Sequence, residues 1–195
     1  MQIIRKYNSY PDYIKHQKEK SLDPSRIKKW LNGDWQPKVD MFYNHFKRNE
    51  EYLIKGGKAL GVCARTGQEI EALKQLGMDA IGVDIVAYPP LVVLGDAHHL
   101  PFENETFDFV FSNSLDHSIY PLLFLEEMRR VLKIGGYGIL HLQITRDVDG
   151  YAENILFNEK PVIKLLSTVK IVENREIKDI CYHREIVFKK QNTEK

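Results

Sequence analysis

Residues 59–77 read ALGVCARTGQEIEALKQLG. Apolar residues fill 59–63, small and polar residues follow, and Gly67 stands at a helix entrance. Ile70, Leu73 and Leu76 then recur at helical spacing until Gly77, a C-terminal stop. The apolar period changes from strand-like to helix-like across one short turn, so 59–63 is expected as a strand and 67–76 as a helix packed on it.

The alternation continues downstream. Strands are expected at 80–85, 91–94, 107–112 (FDFVFS) and 137–142, and a helix opens at Pro121. Leu125, Met128, Val131 and Leu132 supply its inner face, Glu126, Glu127, Arg129 and Arg130 are expected mostly toward water, and Gly135-Gly136 is expected to break it. Short strands alternating with helices indicate an α/β fold, a mostly parallel sheet covered on both faces. Beyond it come a proline-started helix at 161–166 and an antiparallel pair at 168–173 and 180–188; the closing KKQNTEK reads as disordered.

Upstream, Asp23-Pro24 supplies an N-cap and first-turn proline for a helix to about residue 31, stopped at Gly33. Val39, Phe42, Tyr43 and Phe46 place one apolar stripe on a second helix beyond Pro37, and the charged residues 47–51 read as its solvated face. Residues 1–55 are therefore expected as a helical cap on a main domain over 56–190.

A chain of 195 residues buries one sizeable core. Its formal charge of +1 gives no global field toward nucleic acid or an anionic membrane. The apolar runs are strand-sized and the opening MQIIRKYNSYPDY lacks a signal-peptide core, so a soluble, cytoplasmic protein is expected. Cys63 and Cys181 read as buried thiols and make no metal-ligand pattern, so no metal is expected.

In an open parallel sheet, ligands bind beyond the carboxyl ends of the strands. The helix N-terminus near Gly67 offers unpaired N–H groups to an anion, or is an ordinary strand-to-helix turn. Asp84 ends the second strand and either accepts two ribose hydroxyls or caps the turn toward Pro89-Pro90. Gly95-Asp96-Ala97 ends the third with another acid at the same sheet edge. Two acids at successive strand ends fit a nucleoside better than a phosphate, and the GxGxxG spacing and Walker lysine are absent.

Residues 58–142 resemble class I S-adenosylmethionine-dependent methyltransferases, especially the methyltransferase type 11 group. LGDAHHLPFENETFDFVFSN is similar to the family's acid, "LPF" and "FD-V-S" signature, and LEEMRRVLKIGGYGILHL to its following helix, double glycine and fifth strand. The resemblance implies a Rossmann-like, seven-stranded sheet in order 3-2-1-4-5-7-6 with strand 7 antiparallel. It implies S-adenosylmethionine with its methionine part over the first loop, its ribose on Asp84 and its adenine near Asp96 and Ala97. The family's acid and GxGxG become Gly61, Cys63, Arg65 and Gly67 here, so only the last glycine stands. Ala64-Arg65, Gly67 and Glu69 are similar to a divergent "GAR-x-G-x-E" loop. Arg65 either clamps the methionine carboxylate or pairs with an acid such as Glu69.

For the acceptor, the loop after the fourth strand carries Asn113, expected beside the cofactor, and Asp116 and His117, the candidates for proton transfer. His98 and His99 read as polar loop residues beside the adenine, and His141 as a satisfied interior histidine. The expected activity is methyl transfer to a small-molecule or glycan-type acceptor, with no nucleic-acid or membrane partner. The alternative is a non-catalytic module that binds S-adenosylmethionine or a related nucleoside and serves regulation or assembly.

Overall fold

A computed structural model describes residues 1–145, 150–178 and 182–192. In chain order the elements are β1 (Gln2–Ile3), α1 (Tyr10–Leu22), α2 (Pro24–Lys28), α3 (Trp35–Arg48), β2 (Lys58–Val62), α4 (Gln68–Gln75), β3 (Asp79–Asp84), β4 (Val92–Leu94) and β5 (Phe107–Ser112). They continue with α5 (Pro121–Val131), β6 (Leu132–Leu142), β7 (Asn154–Ile155), α6 (Lys160–Leu165), β8 (Lys170–Glu176) and β9 (Arg184–Lys189). Seven strands form one sheet in the order β4-β3-β2-β5-β6-β9-β8, which is 3-2-1-4-5-7-6 when only its own strands are counted. β2 to β6 run parallel, and β9 is antiparallel to both neighbours.

The two-residue period of the strands sorts their side chains into two cores. Leu60, Val62 and Val110 pack with Phe124, Met128 and Val131 of α5 on one face. Ala59, Phe109 and Phe111 pack with Ile70 and Leu73 of α4 and with Val39, Phe42 and Phe46 of α3 on the other. The expected stripe on α3 is thus real at three positions, while Tyr43 stays only half-buried at its edge. Phe46 meets Phe109 and Phe111 edge-on, with centroids 6.0 and 4.9 Å apart. Each such ring removed from water contributes on the order of 1.5–3 kcal/mol, so α3 is anchored by its apolar face.

Several boundaries differ from the sequence reading. The Gly135-Gly136 pair does not break α5: the chain is already extended at Leu132, and the glycines lie within β6 as a bulge. There the β5 pairing jumps from Phe107–Leu132 to Phe109–Tyr137. Lys189 is the last residue of β9, and the Lys190 Nζ donates to the Leu132 carbonyl at 2.7 Å, so the expected tail disorder does not hold at these two positions. The helix begun at Pro24 ends at Lys28 and passes into one wide π turn over Lys29–Gly33. The expected antiparallel pair is β8 and β9, shifted a few residues; Cys181 lies outside the described residues.

Three elements went unread. β1 pairs antiparallel with β7, and Arg5 binds the Gly150 and Ala152 carbonyls beside it. α1 is capped by Ser9, whose side chain accepts the Asp12 N–H, with Pro11 in the first turn. Its inward residues are Tyr13, Gln17 and Lys20. A polar inner face leaves no apolar stripe to read. No described helix is long and apolar enough to cross a membrane.

Candidate active site

The carboxyl ends of β2, β3, β4 and β5 surround a cleft of about 560 Å³, counting its open mouth. Its walls include Cys63 and Arg65 after β2, Asp84 and Ile85 after β3, Asp96 and Ala97 after β4, and Ser114 and His117 after β5. α1 crosses above, contributing Tyr13, Gln17 and Lys20.

The loop after β2 is left-handed at alternate residues: Cys63 has φ 62°, Arg65 47° and Gly67 92°. These are the positions at which the resembled pattern carries glycine, and the backbone shape explains why. Cys63 and Arg65 hold the same shape with a Cβ, a strain of roughly 1–2 kcal/mol each. Part of the compensation comes from Asp84, whose Oδ2 accepts the Arg65 N–H at 2.9 Å and whose Oδ1 accepts the Val86 N–H at 3.2 Å. Burial pushes the Asp84 carboxyl above its ordinary range, and these two N–H groups oppose the shift.

The Arg65 guanidinium lies over the Trp30 ring, 5.0 Å from its centroid, and the Gln68 Nε2 donates to the Trp30 carbonyl at 3.0 Å. Arg65 therefore ties the loop to the segment after α2, and no ion pair joins it to Glu69. Glu69, in the first turn of α4, is buried, and desolvation pushes its carboxyl up to about 7.

Asp96 is engaged from three sides. Its Oδ2 accepts the Tyr10 hydroxyl at 2.6 Å, and its Oδ1 accepts the His98 backbone N–H at 2.9 Å and lies 3.2 Å from His98 Nδ1. Burial alone would raise this carboxyl, but the bonds from His98 and Tyr10 hold it below the usual range. His98 continues to Ser118 through Nε2 at 2.6 Å, so it is a buried connector, whereas His99 is exposed.

At the other end, His117 Nδ1 lies 2.9 Å from the Tyr151 carbonyl, and Lys20 Nζ lies 2.9 Å from His117 Nε2. A carbonyl only accepts, so Nδ1 carries the proton and Nε2 accepts from the ammonium. Asp116 Oδ2 stands 3.7 Å from Nε2. The Tyr13 hydroxyl donates to the His117 carbonyl at 2.9 Å.

Of the residues expected at the site, the fold brings Cys63, Arg65, Asp84, Asp96, Ala97 and His117 to the cleft wall. Gly61 lies within β2, where an added Cβ would stand 2.6 Å from Ile70 Cδ1; it lets α4 approach the strand. Ala64 is buried in the core behind the loop, and Asn113 turns away to donate to the Tyr182 hydroxyl at 2.9 Å. Among these residues the wall at that point is Ser114 instead. Tyr10, Tyr13, Gln17, Lys20 and Trp30 were not foreseen; the Ser9-Tyr10-Pro11 start of α1 was the available signal.

His45, His141 and Glu185 bring ligand atoms within 4.8 Å of one another. Glu185, however, already accepts from Arg175 at 2.7 Å, Arg48 at 3.0 Å and His141 Nε2 at 2.9 Å. Burial opposes ionisation, but His141 and Arg175 hold its carboxyl down to about 2. Two guanidinium groups neutralise the carboxylate a cation would need, so the cluster joins α3 to β6, β8 and β9. His141 is interior, as read, although its Nδ1 has no hydrogen-bond partner and burial lowers its basicity.

The family model described as "Methyltransferase domain" matches residues 60–140, the segment that contains Cys63, Asp84, Asp96 and His117. In sequence, residues 60–140, under half of the chain, are thus similar to a methyltransferase domain. The domain's fold is shared with a 1,6-didemethyltoxoflavin-N1-methyltransferase of Burkholderia thailandensis, solved with 1,6-didemethyltoxoflavin and S-adenosylhomocysteine bound. That likeness has a TM-score of 0.70 at 13% identity, over 97% of this chain and 94% of that one. A SAM dependent methyltransferase from Aquifex aeolicus gives 0.66 at 20% identity, over 86% and 98%. Over 47 residues, 23% of this chain, the sequence is 53% identical to a probable phthiotriol/phenolphthiotriol dimycocerosates methyltransferase 2 of Mycobacterium ulcerans (strain Agy99), of which the match spans 18%.

Proposed function

We propose that the chain binds S-adenosylmethionine in this cleft and transfers its methyl group to a small-molecule or glycan-type acceptor held beneath α1, with residues 1–55 acting as the cap. The observation that carries the reading is the pair Asp84 and Asp96 at successive strand ends, facing one cleft with a left-handed loop between them and α4. The donor set fits the cofactor: Asp84 offers oxygens to a ribose diol, and Asp96 with Ala97 flanks the place of a purine amine. The shape kept at Cys63, Arg65 and Gly67 supports cofactor binding, because the replaced glycines have not collapsed the loop.

When bound, the cofactor supplies an electrophilic methyl on a sulfonium. The chain's own work is positioning, which can provide about 7–11 kcal/mol of barrier reduction. Gln17, Lys20, Ser114 and His117 offer polar groups for orienting an acceptor, and α1 shields the cleft from water. His117 Nε2 takes the acceptor's proton once Lys20 has moved off it, and the Tyr151 carbonyl holds the required tautomer.

Calorimetric titration with S-adenosylhomocysteine, and with NAD as the contrasting nucleotide, tests the cofactor assignment. Heat with the first alone is expected, and heat with neither overturns it. Label transferred from methyl-labelled cofactor into the small-molecule fraction of a cell extract, and not into protein or nucleic acid, checks the acceptor class.

A further inference from the structure

The whole-chain charge of +1 conceals a strong asymmetry. Residues 1–38 hold nine Lys and Arg against four Asp and Glu, a net +5, so residues 39–195 carry −4. The positive share sits on α1, α2 and the turns around them, the segment that roofs the cleft. Within α1, helical geometry sets Pro11, Lys15, Lys18 and Leu22 within about 60° of arc, opposite the inward Tyr13, Gln17 and Lys20. All four are exposed, Leu22 at 55%, and with half-buried Ile14 and exposed Glu19 they line a shallow groove along the outer face, in which two lysines outnumber the one carboxylate. Neither Lys15 nor Lys18 makes an ion pair among the described residues.

A second apolar group adjoins it. Tyr10 stacks on Tyr120 with centroids 6.1 Å apart and planes 9° from parallel, which brings the start of α5 beside α1. Tyr120, Leu122 and Leu123 are 50%, 48% and 40% exposed there. Lys28 at the end of α2 and Lys29 just after it are also exposed, Lys29 with Asp34 Oδ2 4.0 Å away.

We propose that this face docks on an anionic lipid surface, with Leu22, Pro11, Ile14, Tyr120, Leu122 and Leu123 entering the headgroup boundary and Lys15, Lys18, Lys28 and Lys29 meeting lipid phosphates. The charge sign selects an anionic partner, and lysines flanking exposed apolar side chains suit an interface that is wet above and oily below. A nucleic-acid backbone would use the lysines but has no need of the exposed leucines. The inference is independent of the reaction assigned to the cleft, and it replaces the expectation, drawn from total charge, that no membrane surface is a partner.

Co-sedimentation of the full chain with vesicles tests it, using phosphatidylcholine alone and phosphatidylcholine mixed with phosphatidylglycerol. Binding to the mixed vesicles is expected to exceed binding to neutral ones by at least tenfold and to weaken with salt. Lys15→Glu/Lys18→Glu is expected to lower it by twentyfold or more, on roughly fivefold per lysine. Leu22→Ser/Leu122→Ser should lower it severalfold, and Lys164→Glu on exposed α6 should leave it unchanged. Melting temperature and S-adenosylhomocysteine affinity, unchanged in all variants, confirm that the fold survives. Equal binding to both vesicles, none to either, or a leucine-independent affinity for single-stranded RNA exceeding that for mixed vesicles overturns the proposal.

Discussion

The Tyr10 hydroxyl donates to Asp96 Oδ2 at 2.6 Å, so the acid assigned to the purine amine is already engaged by the helix above it. Tyr10 also lies 2.8 Å from His98 Nδ1, and burial followed by the Asp96 carboxylate raises its phenol well above the ordinary value. Under the proposed reading, a purine amine that uses Asp96 competes with this bond. Tyr10→Phe is therefore expected to bind S-adenosylhomocysteine up to tenfold more tightly, within the range of a charge-assisted bond weakened by partial exposure. Calorimetry checks it; weaker binding would place Tyr10 within the loaded site instead.

Arg65 lies in left-handed backbone with its guanidinium over Trp30, which leaves the carboxylate-clamp role without structural support. Arg65→Gly loses the stack and relieves the strain, while Arg65→Ala loses the stack and keeps the strain. The glycine variant is expected to be the more stable of the two by about 1 kcal/mol. Both should change affinity for S-adenosylhomocysteine and 5′-methylthioadenosine by the same factor. A loss confined to the first ligand would restore the clamp.

Glu69 gives the stability curve a defined direction. Burial raises its folded pKa to about 7 from 4.5, so the folded state favours the neutral acid. Its contribution is complete below the unfolded value and is lost as pH rises through about 7, the unfolded chain ionising first. At 1.36 kcal/mol per unit the loss is on the order of 3 kcal/mol between pH 4.5 and 8. Glu69→Gln should flatten this decline and be more stable than the parent at pH 8 but not at pH 5. Denaturant titrations at the two pH values measure it.

The parts of this architecture legible in the sequence were those whose burial has a period. FDFVFS over 107–112 matches β5 residue for residue because Phe109 and Phe111 enter one core and Val110 between them enters the other, and Pro121 marks the first turn of α5. The strand-end acids Asp84 and Asp96 were legible because an acid closing an apolar run has few other places to be. α1 was not, since Tyr13, Gln17 and Lys20 hydrogen-bond inward and carry no apolar rhythm. Gly135-Gly136 misled because a glycine pair marks a helix stop and a strand bulge equally well. Asn113 and Ser114 are adjacent, and only the twist at the end of β5 decides which one faces the cleft.

Asp84 joins the fold and the proposed chemistry, and two substitutions separate them. Its carboxylate accepts the N–H groups of Arg65 and Val86, so it anchors the loop before any ligand arrives. Asp84→Ala removes both acceptors in a buried place, leaving N–H groups unsatisfied at about 1–3 kcal/mol each, and it should lower the melting temperature clearly. Asp84→Asn keeps one carbonyl oxygen for the loop but replaces the other with a donor, and it withdraws the charge that a ribose diol would use. The asparagine variant is therefore expected to melt closer to the parent while losing tenfold or more in affinity for S-adenosylhomocysteine. The alanine variant should lose both. Melting curves and calorimetry on the same samples decide it: an asparagine variant with parental affinity would reduce Asp84 to a turn residue, and with it the nucleoside reading of the cleft would fall.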